Sequence, residues 1–272
     1  MIDEKIVPAG QVDPAYLDRG IFFGDGVYEV VRSYNGKIFA LDEHLRRFAA
    51  SLAAVGIAKV DSDIVRKRVL QAFSDAQIPN AKIYFHVTRG SQPRNHLPDA
   101  NVPPNFFLTV SELDDDADVK RNGIAVSTHP DWRWKRCDIK SLNLLPNVLA
   151  RMDAAKKGCD EAIFVDDNGL ITEGAGSAFF AIFDQALRTS PLTANILPSI
   201  TREFVIKAAR NIGMLVQAES FTPTEAAKAD ELFIAVTTKD IVPVVRFDDK
   251  PIGQAKPGNS TKRLAEEFRS FT

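Results

Sequence analysis

One lysine stands inside a run that is otherwise mostly apolar or small, Cys137-Asp138-Ile139-Lys140-Ser141-Leu142-Asn143. An ammonium drawn out of water loses part of its preference for the charged form. The neutral amine that results attacks carbonyls and forms Schiff bases. Further along, Glu173 follows a predicted strand and opens the small-residue run Gly174-Ala175-Gly176-Ser177. A carboxylate in that place suits the protonated nitrogen of a pyridine ring. A lysine for an aldehyde and an acid for a ring nitrogen are what pyridoxal phosphate asks of a protein. Lys140 also has a plainer reading, as an edge-strand lysine whose stem passes Ile139 and Leu142.

Two segments have the chemistry of an anion site. Leu197-Pro198-Ser199-Ile200-Thr201-Arg202 opens a predicted helix, where free N–H groups and the helix dipole attract negative charge. Ordinary N-capping by Ser199 or Thr201 explains the same residues. Thr237-Thr238 directly follows an apolar strand and offers two hydroxyls. A third segment, residues 88–96, gathers Arg89, Arg94 and His96 around turn residues Gly90 and Pro93. Arginine grips carboxylates through two parallel bonds, although a basic surface loop has the same composition. Arg46 and Arg47 lie off the apolar side of their helix, and periodicity places both in solvent.

These residues need elements to hold them. Leu41, Leu45, Phe48, Ala49 and Leu52 recur at helical spacing after a strand at 37–40, with Asp42 as N-cap and Gly56 as stop. Asp61 or Ser62 caps a second helix with Val65, Val69 and Phe73 inward. Residues 82–88 alternate with period two and read as a strand, as do 105–110. The acidic stretch 112–118 marks the boundary between an N-terminal lobe (1–116) and a C-terminal lobe (117–272). In the second lobe a strand spans 123–128 and a helix 147–157. Residues 162–165 and 170–172 flank the hairpin signal Asp166-Asp167-Asn168-Gly169. A helix at 202–212, strands at 232–236 and 242–247, and a helix capped by Ser260 or Thr261 complete the chain. This alternation predicts α/β or α+β lobes.

The 272 residues carry 45% hydrophobic and 26% charged side chains, a globular balance with enough chain for two lobes. A net charge of −2 gives no basic excess for nucleic acid or an anionic membrane. No apolar run is long enough to span a bilayer. The acidic opening Met1-Ile2-Asp3-Glu4-Lys5 is unlike a signal peptide. Cys137 and Cys159 alone make neither a disulfide framework nor a cysteine-rich metal site. A cytoplasmic protein without a metal is the expectation.

The motifs Asp18-Arg19-Gly20, residues 23–30, His44-Leu45-Arg46-Arg47, residues 84–90, Pro93-Arg94-Asn95-His96, residues 137–145, Thr172-Glu173-Gly174, residues 197–202, residues 230–233 and Thr237-Thr238 occur in order over nearly the whole chain. Together they resemble the fold-type IV pyridoxal-phosphate enzymes, the class IV aminotransferases, and within them the subgroup acting on D-amino acids. The resemblance implies a smaller N-terminal α/β lobe, a larger C-terminal lobe with a barrel-like sheet, and a homodimer with active sites near the subunit boundary. It implies Lys140 as the catalytic Schiff-base lysine and Glu173 as partner of the pyridine nitrogen. Arg47, the backbone N–H groups of Ile200 and Thr201, and Thr237 would hold the cofactor phosphate. Leu197 would pack on the ring, and Tyr28, Arg94 and His96 would bind the substrate carboxylate. The implied reaction moves the amino group of a D-amino acid to a 2-oxo acid. Branched-chain L-amino-acid transaminases and aminodeoxychorismate lyases of the same fold are the alternatives. Two stretches depart from the subgroup: Ala175-Gly176-Ser177-Ala178 replaces a serine- and asparagine-rich run, and Ala235-Val236 replaces hydroxyl residues.

Overall fold

The computed structural model describes residues 1–272. After two 3₁₀ turns (Ala9–Gln11 and Pro14–Leu17), helix α1 (Arg19–Phe23) leads into β1 (Gly26–Tyr34). Asn35 and Gly36, both at positive φ, turn the chain into β2 (Lys37–Ile38). Helices α2 (Leu41–Ala54) and α3 (Ser62–Ala76) follow, then β3 (Ala81–Thr88) and β4 (Asn105–Glu112). The strands form an antiparallel sheet in the order β2-β1-β3-β4. Ala81, Ile83, Phe85 and Val87 alternate along β3 and are all buried, because a period of two puts them on one face. That face packs on Leu45, Phe48 and Leu52 of α2 and on Val65 and Val69 of α3.

The second half runs through α4 (Ala117–Asn122), β5 (Ile124–Pro130), α5 (Leu145–Lys156), β6 (Glu161–Val165), β7 (Ile171–Gly174), β8 (Ala178–Phe183) and β9 (Ala186–Thr189). It continues with α6 (Ile200–Asn211), β10 (Val216–Ala218), α7 (Pro223–Ala226), β11 (Glu231–Val236), β12 (Asp240–Phe247), β13 (Lys250–Pro251) and α8 (Asn259–Arg269). Its strand order is β10-β9-β8-β11-β12-β5-β6-β7, with β13 paired to β12. β5 is parallel to both β12 and β6, and most other pairs are antiparallel. The sheet curls until its β7 edge comes against β8, which gives the expected barrel-like form. One face buries Phe179, Leu232, Val242 and Phe247. The other buries Phe180 and Phe233, whose rings stack 4.7 Å apart, against Val205 of α6 and Leu264 of α8.

The lysine segment joins the two sheets. Ile139 is buried in the core of the first sheet. Tyr28 N donates to Lys140 O (3.0 Å) and Leu142 N donates to Gly26 O (3.0 Å). Lys140 N donates to Ser51 Oγ (3.2 Å) on α2. The segment is therefore a loop laid along β1, with a single bridge between Val27 and Ser141, and not an edge strand.

Some elements differ from the sequence expectation. The strand expected at 37–40 stops at Ile38, because Ala40 turns left-handed and becomes the N-cap of α2. Asp42 lies inside the first turn and pairs with Arg66 at 2.7 Å instead of capping. Asp61 caps α3 as expected, accepting from Asp63 N and Ile64 N. The α8 cap is remote: Glu231 accepts from Ser260 N (2.9 Å) and Thr261 N (2.7 Å), while the Thr261 hydroxyl is buried without a partner. β1 and β8 to β10 have no counterpart among the expected strands. No helix is long and apolar enough to cross a membrane.

Candidate active site

Lys140 Nζ makes no ion pair and lies 4.2 Å from the centre of the Tyr28 ring. Both residues line a cavity of about 270 Å³ between the two sheets, together with Glu173, Leu197, Thr237 and Arg133. Tyr28 arrives on β1, Lys140 on the loop beside it, and Glu173 on β7.

Glu173 is buried. Its carboxylate accepts from Leu197 N at 3.1 and 3.2 Å. Arg133 Nη1 donates to its Oε1 at 2.5 Å. Burial pushes the Glu173 carboxyl above its ordinary range, against the pull of the Arg133 guanidinium. Arg133 is itself held by Asp131, to which Nε (2.8 Å) and Nη2 (2.7 Å) both donate. Its guanidinium lies 4.4 Å from the Phe164 ring centre. The acid therefore sits in a neutralised, rigid surround, able to face a cationic ring nitrogen.

The start of α6 brings backbone donors to the cavity. Ser199 caps α6, accepting from Arg202 N (3.1 Å), so the capping reading of this segment holds. The first-turn N–H groups of Ile200 and Thr201 find no acceptor in the surrounding loops or side chains. Thr201 Oγ1 lies 3.5 Å from Thr237 Oγ1. Ser199, Thr237 and Thr238 line the cavity, whereas Ile200 and Thr201 are buried just behind it.

Arg46 and Arg47 part ways. Arg46 is exposed, as periodicity expects, but Arg47 is buried and lines the cavity. The reason is Glu29, fully buried on β1, which accepts from Arg47 Nε (2.7 Å) and Nη2 (2.8 Å). Arg47 Nη1 donates to Pro198 O (3.0 Å), tying α2 to the start of α6. His44, one turn earlier, makes a 2.8 Å bond to the same carboxylate through Nδ1. Burial lowers the His44 pKa and keeps the ring neutral at pH 7, so Nδ1 carries the donated proton.

The basic loop separates from this cavity. Arg89 is structural: it donates to Asp25 (2.8 Å), Val55 O (2.7 Å) and Gly56 O (3.0 Å). Arg94 and His96 are exposed and do not line the cavity of their own chain. Both lie against Phe23, with the Arg94 guanidinium 5.1 Å and the His96 ring 5.4 Å from its ring centre. Arg19 braces the loop from below, donating to Asn95 O (2.6 Å) and His96 O (3.0 Å).

Sequence reasoning misses Glu29, His44, Asp131 and Arg133. A signal for Glu29 exists, since it shares the period-two register of Val27 and Val31. Asp131 and Arg133 give none, because the residue that Arg133 meets, Glu173, is 40 positions away.

The model of the amino-transferase class IV family matches residues 26–247. This chain is a class IV aminotransferase. The aminotransferase is 39% identical over 248 residues to a protein of Bacillus licheniformis named D-alanine aminotransferase, covering 91% of this chain and 87% of that one. It is 36% identical to a Staphylococcus haemolyticus protein of the same name, over 99% and 96% of the two chains. Among solved structures, the Escherichia coli branched-chain amino acid aminotransferase superposes with a TM-score of 0.89 at 24% identity, over 98% of this chain and 91% of that one, a likeness of fold. A T.th. branched-chain amino acid aminotransferase, solved with pyridoxamine 5'-phosphate, also gives 0.89, at 25% identity over 97% and 90%. The aminotransferase thus has the two-lobed fold and the family that its motifs resemble.

Proposed function

We propose that this enzyme transfers the amino group of a D-amino acid, of the D-alanine or D-glutamate type, to a 2-oxo acid such as pyruvate or 2-oxoglutarate, with pyridoxal 5'-phosphate as cofactor. One observation carries the reading: an unpaired lysine amine and a buried carboxylate line one cavity in a chain whose relatives are named D-alanine aminotransferases. The donor set fits the cofactor. Lys140 would be the attachment point, Glu173 would meet the ring nitrogen, and Leu197 would pack on the ring. Arg47, Thr237 and the N–H groups of Ile200 and Thr201 would take the phosphate.

The bound cofactor supplies an electron sink for the substrate α-carbon. The chain does the rest. With the cofactor in place, Lys140 Nζ would take the substrate α-proton as general base and give it up again as general acid. Glu173 would hold a proton on the ring nitrogen, and Arg133 offsets the cost of keeping that carboxylate charged out of water. Tyr28 orients the substrate carboxylate.

Arg94 and His96 cannot share that task within one chain, and a homodimer resolves the difficulty by bringing them to the partner's cavity. An apolar face supports this assembly: Leu145, Val148, Leu149 and Met152 project from α5 into solvent, next to the cavity residues Leu144 and Asn147. The lobe boundary lies between residues 116 and 117. Two buried, unpaired cysteines suit a cytoplasmic enzyme.

An amine-transfer screen with paired enantiomers tests the reaction. D-alanine and D-glutamate should be donors, and turnover confined to L-valine or L-leucine would refute the proposal. Lys140→Ala should lose steady-state turnover by at least about 10³-fold, in line with loss of a nucleophile that is also the proton carrier. Near-normal turnover in that variant would remove Lys140 from the chemistry.

A further inference from the structure

The turn that presents Thr237 and Thr238 to the cavity ends on a left-handed residue. Asp240 adopts φ +58°, a conformation that aspartate tolerates better than most residues other than glycine. The turn connects β11 to β12, with Lys239 N donating to Val236 O at 3.1 Å. The hairpin pairing of Val236 with Asp240 closes the turn locally, and further bonds reach it from the other sheet.

Arg32 projects from β1, where it is 2% exposed. Its Nη1 donates to Thr238 O (3.1 Å) and to Asp240 Oδ1 (2.9 Å). Tyr34, two residues on and on the same face, also donates to Asp240 Oδ1, and its ring lies 4.2 Å below the Arg32 guanidinium. Lys120 of α4 donates to Asp240 Oδ2 (2.8 Å) and to Asp115 (2.6 Å). Lys239 pairs with Asp116 at 3.4 Å. Two carboxylates of the acidic stretch, Asp115 and Asp116, thus belong to a charged knot tied around one turn.

We propose that Arg32 is a positioning residue for the cofactor phosphate, fixing from the other lobe the backbone that presents Thr237 and Thr238 to the cavity. The inference rests on the pyridoxal phosphate reading above. Arg32 does not line the cavity, so it acts through the Thr238 carbonyl and the Asp240 carboxylate. Thr237 stands one residue from that carbonyl. Its hydroxyl, with the Thr201 hydroxyl 3.5 Å away, keeps its place only while the turn keeps its shape. The arrangement also makes phosphate binding sensitive to how the two lobes sit against each other.

The test compares two aldehydes that share the attachment chemistry and differ in phosphate. Dissociation constants of pyridoxal phosphate and of pyridoxal are measured by absorbance titration of the cofactor-free full-length protein, for wild type, Arg32→Met, Arg32→Lys and Asp240→Asn. Arg32→Met should weaken pyridoxal phosphate by about 10-fold, the worth of one or two lost charge-assisted bonds, and leave pyridoxal within about twofold of wild type. Arg32→Lys should recover most of the loss. Asp240→Asn keeps the shape of the side chain, should show a smaller loss of the same kind, and decides the matter if Arg32→Met fails to fold. Unchanged pyridoxal phosphate affinity, or equal weakening of both aldehydes, overturns the inference. Wild-type protein that takes up no pyridoxal phosphate overturns the cofactor reading as well, so the two failures are distinct.

Discussion

Glu29 is a carboxylate shut away from water, with bonds from Arg47 Nε (2.7 Å), Arg47 Nη2 (2.8 Å) and His44 Nδ1 (2.8 Å). Burial works against its charge, but Arg47 and His44 prevail and hold its pKa at about 2, below the ordinary 4.5. A folded-state pKa below the unfolded one means that the native state binds the proton less readily. The stabilisation is complete above about pH 4.5 and is lost as pH falls through about 2. Glu29→Gln should remove this acid-sensitive part and also leave the Arg47 guanidinium buried without its counter-charge, at a cost of about 3–5 kcal/mol. Urea midpoints from pH 2 to pH 7 measure both effects, and equal stability of variant and wild type at pH 7 would refute them. The same residues show where sequence reading stops. Lys140 and Glu173, which the structure brings to one cavity, stand out because a charge in an apolar or small-residue run is conspicuous within a few positions. Periodicity misplaces Arg47 in solvent because the residue that draws it inward lies on another element, 18 positions away.

Among elements, those whose information is local are readable. Helix α3 has its own N-cap, β3 its own alternation, and the β6–β7 hairpin its own Asn-Gly turn. β8 is not, because Ala178 to Ile182 are all buried, and a strand buried on both faces has no period to detect. β1 hides behind charges at buried positions, Glu29 and Arg32, whose partners come from α2 and β12. The start of α8 misleads for a similar reason. Ser260 and Thr261 look like caps, but the bonds come from Glu231, about 30 positions earlier. Glu231→Ala should therefore cost about 1–2 kcal/mol, the loss of an N-cap, and lower Tm by a few degrees in calorimetry. Ser260→Ala should leave Tm nearly unchanged, and the reverse order would show that the local residue is the cap. Gly258 allows this approach: a β-carbon there would stand 2.0 Å from Glu231 Cδ.

For the whole molecule, the proposed dimer places a demand on α5. Its outward face carries Leu145 (67% exposed), Leu149 (45%) and Met152 (54%), an apolar stripe that a monomer would leave in water. Replacing Leu149 and Met152 together by Glu should halve the mass in analytical ultracentrifugation. It should also reduce turnover at low substrate by about 10-fold, as Arg94 and His96 leave the neighbouring cavity. A variant that stays dimeric would move the interface elsewhere. The proposed assembly is not legible in the residues themselves, because an exposed apolar stripe has the same periodicity as a buried one. The lysine loop has a further consequence. The lysine proposed to react, Lys140, is encoded in the second half of the chain, but its main chain is tethered to Tyr28 and Ser51 in the first. Cutting the polypeptide near residue 116 would give the amine to one fragment and both of its moorings to the other. Neither half is a tradable module, and a lineage that recombined them with foreign partners would forfeit the chemistry at the first exchange.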